Sequence, residues 1–179
     1  MATITDGSGT ILSFARYEDV KAMDSRVFDS NEMGTEAETE ELVNDMLIRS
    51  TSRVMSLVKN STFWLKYTST ISTTAGPGTV VPTPSISKIK RLEDFEELVV
   101  YHTLYQYLLP RFADMGDEVS NEVAKIAFYK DAFNELWDVL QTNGDFYDDD
   151  GSGTVDNDEV LLSVMPVRRS RGYRRIVGG

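Results

Sequence analysis

Apolar residues recur at intervals of three and four along most of this chain, and that period predicts helices. Leu42, Val43, Met46, Leu47, Val54, Leu57 and Val58, with charged positions between them, mark one amphipathic helix from about 36 to 59. Thr35-Glu36-Ala37-Glu38 opens it as a capping box, in which the threonine hydroxyl accepts from the amide three residues on and Glu38 reaches back. Acids in the first turn also suit the helix dipole. Upstream, Tyr17, Val20, Met23 and Val27 predict a short helix within 16–28, and the polar stretch 29–34 a loop. Downstream, a helix from about 91 to 113 places Phe95, Leu98, Val99, His102, Tyr105, Leu109 and Phe112 on one face, with Pro110 expected to end or bend it. A last helix from about 118 to 142 carries Val119, Val123, Ile126, Ala127, Phe133, Trp137 and Leu140, and Asn143-Gly144 is its stop signal.

Two stretches break the helical period. Residues 1–14 alternate Ile4, Ile11, Leu12 and Phe14 around Asp6-Gly7 and Ser8-Gly9, which fits a small hairpin or an extended arm. Residues 60–90 are rich in Ser, Thr, Gly and Pro with β-formers interleaved; Pro82 and Pro84 forbid a central strand. This stretch is expected to be an insertion arm, extended or an irregular hairpin, that contacts a partner. The predicted fold is therefore mainly α: a small helical bundle over 15–147 with the arm inserted at 60–90. An N-terminal arm or hairpin (1–14) precedes it, an acidic segment (148–165) comes after it, and a basic tail (166–179) closes the chain.

Composition narrows the chemistry. At 179 residues, 41% hydrophobic and 26% charged, the chain can bury one core, and disordered or fibrous classes are excluded. The start MATITDGSGT lacks the basic and apolar regions of a signal peptide, so a soluble protein that stays where it is made is expected. The absence of cysteine removes disulfides, zinc–cysteine sites, iron–sulfur clusters and thiol catalysis, and the single His102 removes multi-histidine metal centres. The net charge of −11 is unevenly spread. After Glu159 the only charges are Arg168, Arg169, Arg171, Arg174 and Arg175, and removing those five leaves −16 on residues 1–167. An acidic body with a basic extension suggests an interaction tail.

The sharpest motif begins at Asp148. Read as a twelve-residue calcium loop, it sets oxygen side chains of Asp148, Asp150, Ser152 and Asp156 at positions one, three, five and nine. Gly153 makes the turn at six, Thr154 offers its carbonyl at seven, and Glu159 closes at twelve. Calcium takes six to eight hard oxygens, and this order supplies them, so Asp148, Asp150, Ser152, Thr154, Asp156 and Glu159 are candidate ligands of an EF-hand-like site. The flanks are poorer, because Gly144 and Asn143 stop the entering helix and Pro166 truncates the exit; an acidic solvated turn is the competing reading. No enzyme is expected. His102 has no serine or acid beside it at helical spacing and reads as a hydrogen-bonded core or interface histidine. The clustered acids stand at helix starts, where the dipole explains them.

The aromatic residues Tyr101, Tyr105, Tyr107, Phe112, Phe128, Tyr129 and Phe133 are dense, and Tyr101, Tyr107, Phe128 and Tyr129 fall partly off the main stripes. Either a neighbouring subunit or a broad core face accounts for them. In the tail, Arg168, Arg169, Arg171, Tyr173, Arg174, Arg175, Ile176 and Val177 are candidate partner-binding residues. They suit docking into an acidic groove of a protein partner, with the arginines on carboxylates, better than phosphate binding, since a −16 body repels DNA. A nucleic-acid binder through the tail remains the weaker alternative.

Arg16-Tyr17-Glu18-Asp19-Val20, the capped helix from Thr35, the run Leu98-Val99-Val100-Tyr101-His102-Thr103-Leu104-Tyr105, and Phe128-Tyr129-Lys130-Asp131-Ala132-Phe133-Asn134-Glu135-Leu136-Trp137 together resemble the head-tail connector (adaptor, or head completion) proteins of tailed bacteriophages. The resemblance covers most of 14–147 in order and spacing. It implies a virion structural protein made in the host cytoplasm: a homo-oligomeric ring, typically a dodecamer, under the portal vertex. Such a ring docks the portal protein on one side and the next neck or tail protein on the other. DNA passes through without sequence-specific binding, no membrane is involved, and the C-terminal segment grips the portal. The calcium-like loop and the insertion depart from the family's pattern.

Overall fold

A computed structural model describes residues 3–5, 7–28, 35–75, 83–113, 121–148 and 155. The described residues are mainly α-helical, a small bundle with one short hairpin at its start. Strand β1 (Ile4–Thr5) pairs antiparallel with β2 (Ile11–Ser13), Ile4 opposite Ser13 and Thr5 opposite Ile11. Gly9 takes φ +82° in the connecting turn, a left-handed conformation that glycine adopts without strain. The Arg16 guanidinium donates to the Thr3 carbonyl at 2.8 and 3.1 Å and fixes the hairpin to the first helix. Behind β2 the chain sends Phe14 and Ala15 into the core, and the buried Ser13 hydroxyl accepts from Thr51 at 3.1 Å.

Helix α1 (Tyr17–Met23) ends at Asp24 and passes into a 3₁₀ turn, Ser25–Phe28. Helix α2 (Glu36–Asn60) begins at the capping box read from sequence: the Glu38 amide donates to the Thr35 hydroxyl at 3.4 Å, and the Thr35 amide donates to the Glu38 carboxylate at 3.0 Å. Its buried stripe is Val43, Met46, Leu47, Val54 and Val58.

The arm expected over 60–90 is replaced in its first half by a helix, α3 (Thr62–Ala75). Ser61 breaks α2 from α3 in extended conformation, and its hydroxyl donates to the Val58 carbonyl at 2.7 Å and accepts from the Trp64 amide at 3.1 Å, capping both helices. Phe63, Trp64 and Tyr67 are almost fully buried, and the aromatic side chains that gave the segment its β character drive it into the core at helical spacing. Packing overrides propensity here. Residues 76–82 lie outside the described ones. Ile86–Lys88 is a 3₁₀ turn, and Ile89 is buried.

Helix α4 (Leu92–Thr103) is central, packed against α2 on one side and α6 (Asn121–Asn143) on the other. It does not stop at Pro110. The chain continues through a π turn, Leu104–Leu108, into α5 (Leu109–Phe112), whose second residue is Pro110. The Leu109 amide donates to the Leu104 carbonyl, five residues back, so the register has already widened where the proline lacks its own N–H. Helix α6 ends as expected at Gly144, φ +65°, whose amide donates to the Leu140 carbonyl at 3.0 Å. Tyr129, Phe133 and Leu140 are its buried contribution.

Candidate functional site

The helical bundle does not end with α6. Phe146 and Tyr147 turn back into the core, 0% and 4% exposed. Tyr147 forms a single antiparallel bridge with Ile89: the Lys90 amide donates to the Phe146 carbonyl, and the Asp148 amide to the Lys88 carbonyl, each at 2.9 Å. Around this clasp the rings close together. Phe146 lies 4.6 Å from Phe63 and 5.4 Å from Phe95, and Tyr147 meets Trp64 edge-on at 5.0 Å. Two ion pairs lock it: Lys90 Nζ to Asp148 Oδ2 at 3.0 Å, and Arg91 to Asp145 at 2.9 Å, the latter guanidinium also held by Asp94.

Asp148 is therefore 1% exposed at its carboxylate and paired with a lysine. As the first residue of the calcium-loop pattern it would have to exchange Lys90 for the cation. Of the other candidate ligands, Asp150, Ser152, Thr154, Asp156 and Glu159 lie outside the described residues, as do all eight tail candidates from Arg168 to Val177. Among the described residues no three acids or histidines gather where a metal could be held.

His102 is a buried core residue. Its Nδ1 lies 3.0 Å from the Ser50 hydroxyl, which also accepts from Thr103 at 2.8 Å, and its ring packs against Tyr105, Tyr107 and Phe133. Burial, helped by the Arg53 charge, pulls its pKa down to about 4, so it is neutral at physiological pH. Its hydroxyl neighbours Ser50 and Thr103 are themselves buried in the same hydrogen-bonded knot.

No protein-family model, curated protein or solved structure matches this chain.

An open groove of about 360 Å³ lies between α1 and α4, lined among others by Asp19, Met23, Glu93, Glu96, Glu97 and Val100. Burial raises the Glu96 pKa, and the nearby charges of Asp19, Glu93 and Glu97 add to the effect. Tyr101 donates to Glu97, and its ring lies 5.9 Å from that of Tyr129. Below them Lys125 Nζ reaches the Asp24 carboxylate at 2.6 Å, tying α6 to the end of α1, and burial beside Asp24 pushes the Tyr129 phenol up to about 12. Sequence reasoning did not find this groove, because its acids come from two helices whose neighbourhood no periodicity reports. It also missed the clasp, although Phe146-Tyr147 directly after a glycine stop is an apolar pair with no helix to serve.

Proposed function

We propose that this chain is a non-enzymatic structural subunit of a bacteriophage head-tail connector ring, joining the portal vertex to the next neck or tail protein. What supports the reading is the succession of elements: a short helix, a long capped helix and two core helices around an aromatic centre, in the order that the resembling motifs require. The acidic body and basic extension fit the same role, with Arg168, Arg169, Arg171, Arg174 and Arg175 as the portal grip. The ring is a homo-oligomer, typically twelvefold, resident in the neck of the virion. Among the described residues no helix is long and apolar enough to cross a membrane.

Electron micrographs of the protein mixed with its portal test this. A ring stacked on the portal is expected, lost when residues 166–179 are deleted; portal binding unchanged by the deletion overturns the tail assignment, and the absence of any ring overturns the reading. The alternative, a calcium-binding helical module, is tested by melting. A Tm raised by calcium in the wild type and unmoved in Glu159→Gln would establish a cation site at 148–159, with Asp148 released from Lys90.

A further inference from the structure

The α1–α4 groove is not merely acidic. Met23 at its rim is 40% exposed, and Phe128, whose ring meets Tyr129 edge-on at 5.2 Å, is 64% exposed. Tyr129 in turn adjoins Tyr101, whose hydroxyl donates to the groove acid Glu97, so a chain of contacts links exposed Phe128 on α6 to the acids between α1 and α4. Among the described residues no ion pair reaches Glu93, Glu96 or Glu97; burial raises the Glu96 pKa, with the charges of Asp19, Glu93 and Glu97 adding to it and the N-terminal ammonium opposing it. A ligand that relieved this face would bring several cations together with aromatic and aliphatic side chains.

One segment of the chain has that composition: Arg168, Arg169, Arg171, Arg174 and Arg175, with Tyr173, Ile176 and Val177 among them. We propose that the groove docks the chain's own segment 168–177, its arginines against Glu93, Glu96 and Asp19 and its apolar residues against Met23 and Phe128. The reach allows it. Asp148 is hydrogen-bonded to Lys88, a few residues before α4 begins, and the groove starts at Glu93 on the first turn of that helix. Roughly 20 extended residues span up to ~65 Å, whereas α4 is only about 18 Å long. A tether of that length holds the segment near its groove at an effective concentration in the millimolar range, which favours the same chain over a second copy at micromolar protein. The docking is independent of the connector reading, since it concerns the free chain; within that reading it parks the tail until a portal competes for it.

The lack of native cysteine gives a clean test in the full chain. Ala22→Cys is exposed in the groove, and Thr142→Cys, exposed near the far end of α6, is the control; each is combined with Tyr173→Cys. Under mild oxidation at low micromolar protein, the Ala22 pair should form an intramolecular disulfide about tenfold faster than the Thr142 pair. Adding Glu93→Lys with Glu96→Lys should remove that advantage. Equal rates for the two pairs overturn the proposal, as does a disulfide that appears as dimer in proportion to concentration, which assigns the groove to a second copy. The Met23 methyl resonance provides a reading without cysteines: it should move when Arg168, Arg169 and Arg171 are changed to Ser, and an unmoved resonance counts against docking.

Discussion

His102 and Asp148 are both buried, and the fold accommodates them by different means. The imidazole, with its pKa held near 4 instead of the ordinary 6.5, is stored neutral. As pH falls, the unfolded chain binds the proton first, so this contribution to stability is complete above about 6.5 and is lost progressively down to about 4. His102→Gln should therefore flatten the fall in Tm across that window relative to wild type, removing a difference of up to about 3 kcal/mol; parallel Tm curves would refute the assignment. Asp148 instead depends on a cation. Lys90→Met removes the ammonium from beside its buried carboxylate and should cost about 2 kcal/mol or more in urea unfolding, somewhat below the range for fully enclosed pairs because Lys90 is 33% exposed. Adding Asp148→Asn to Lys90→Met should recover most of that loss. No recovery would mean that the carboxylate is not what the lysine serves.

At the scale of elements, α3 decides between an arm and a wall of the core. Phe63→Ala should destabilise by about 3–5 kcal/mol, as a fully packed aromatic does, while Leu65→Ala, 60% exposed on the same helix, should change stability by less than about 0.5 kcal/mol. Similar small effects at both positions would restore the arm. The helices α1, α2, α4 and α6 were legible in sequence because their apolar residues keep the period and their ends carry Thr35 and Gly144. Helix α3 was not, because Ser, Thr and aromatic residues fill it, and only contact with Phe146 and Tyr147 tells that its rings are inside. The π turn before Pro110 was equally hidden: the sequence shows that a hydrogen bond must be lost but not that the backbone will widen to absorb it.

At the scale of the molecule, net charge acts between copies of the chain. Bodies carrying −16 each repel at low ionic strength, so moderate salt should promote self-association by screening, seen as faster sedimentation between low salt and about 0.15 M. Self-association that weakens over this range would place ion pairs, not apolar faces, at the subunit contact. The candidate site was only partly legible at this scale. Spacing alone picked out the oxygen-rich loop from Asp148, but its partner Lys90 lies far from it in sequence, and the groove acids Asp19, Glu93 and Glu96 come from two helices that only the fold brings together.

The clasp between Ile89 and Tyr147 also governs how the chain carries tension. Any pull applied beyond Asp148 meets the paired backbone at Lys88 and Lys90 and the buried Phe146 before it reaches α6. The load is handed to the start of α4, in the middle of the bundle, and α6 is spared from unwinding from its free end. A force on the chain beyond Asp148 is thus moored to the keel of the molecule and not to its last plank.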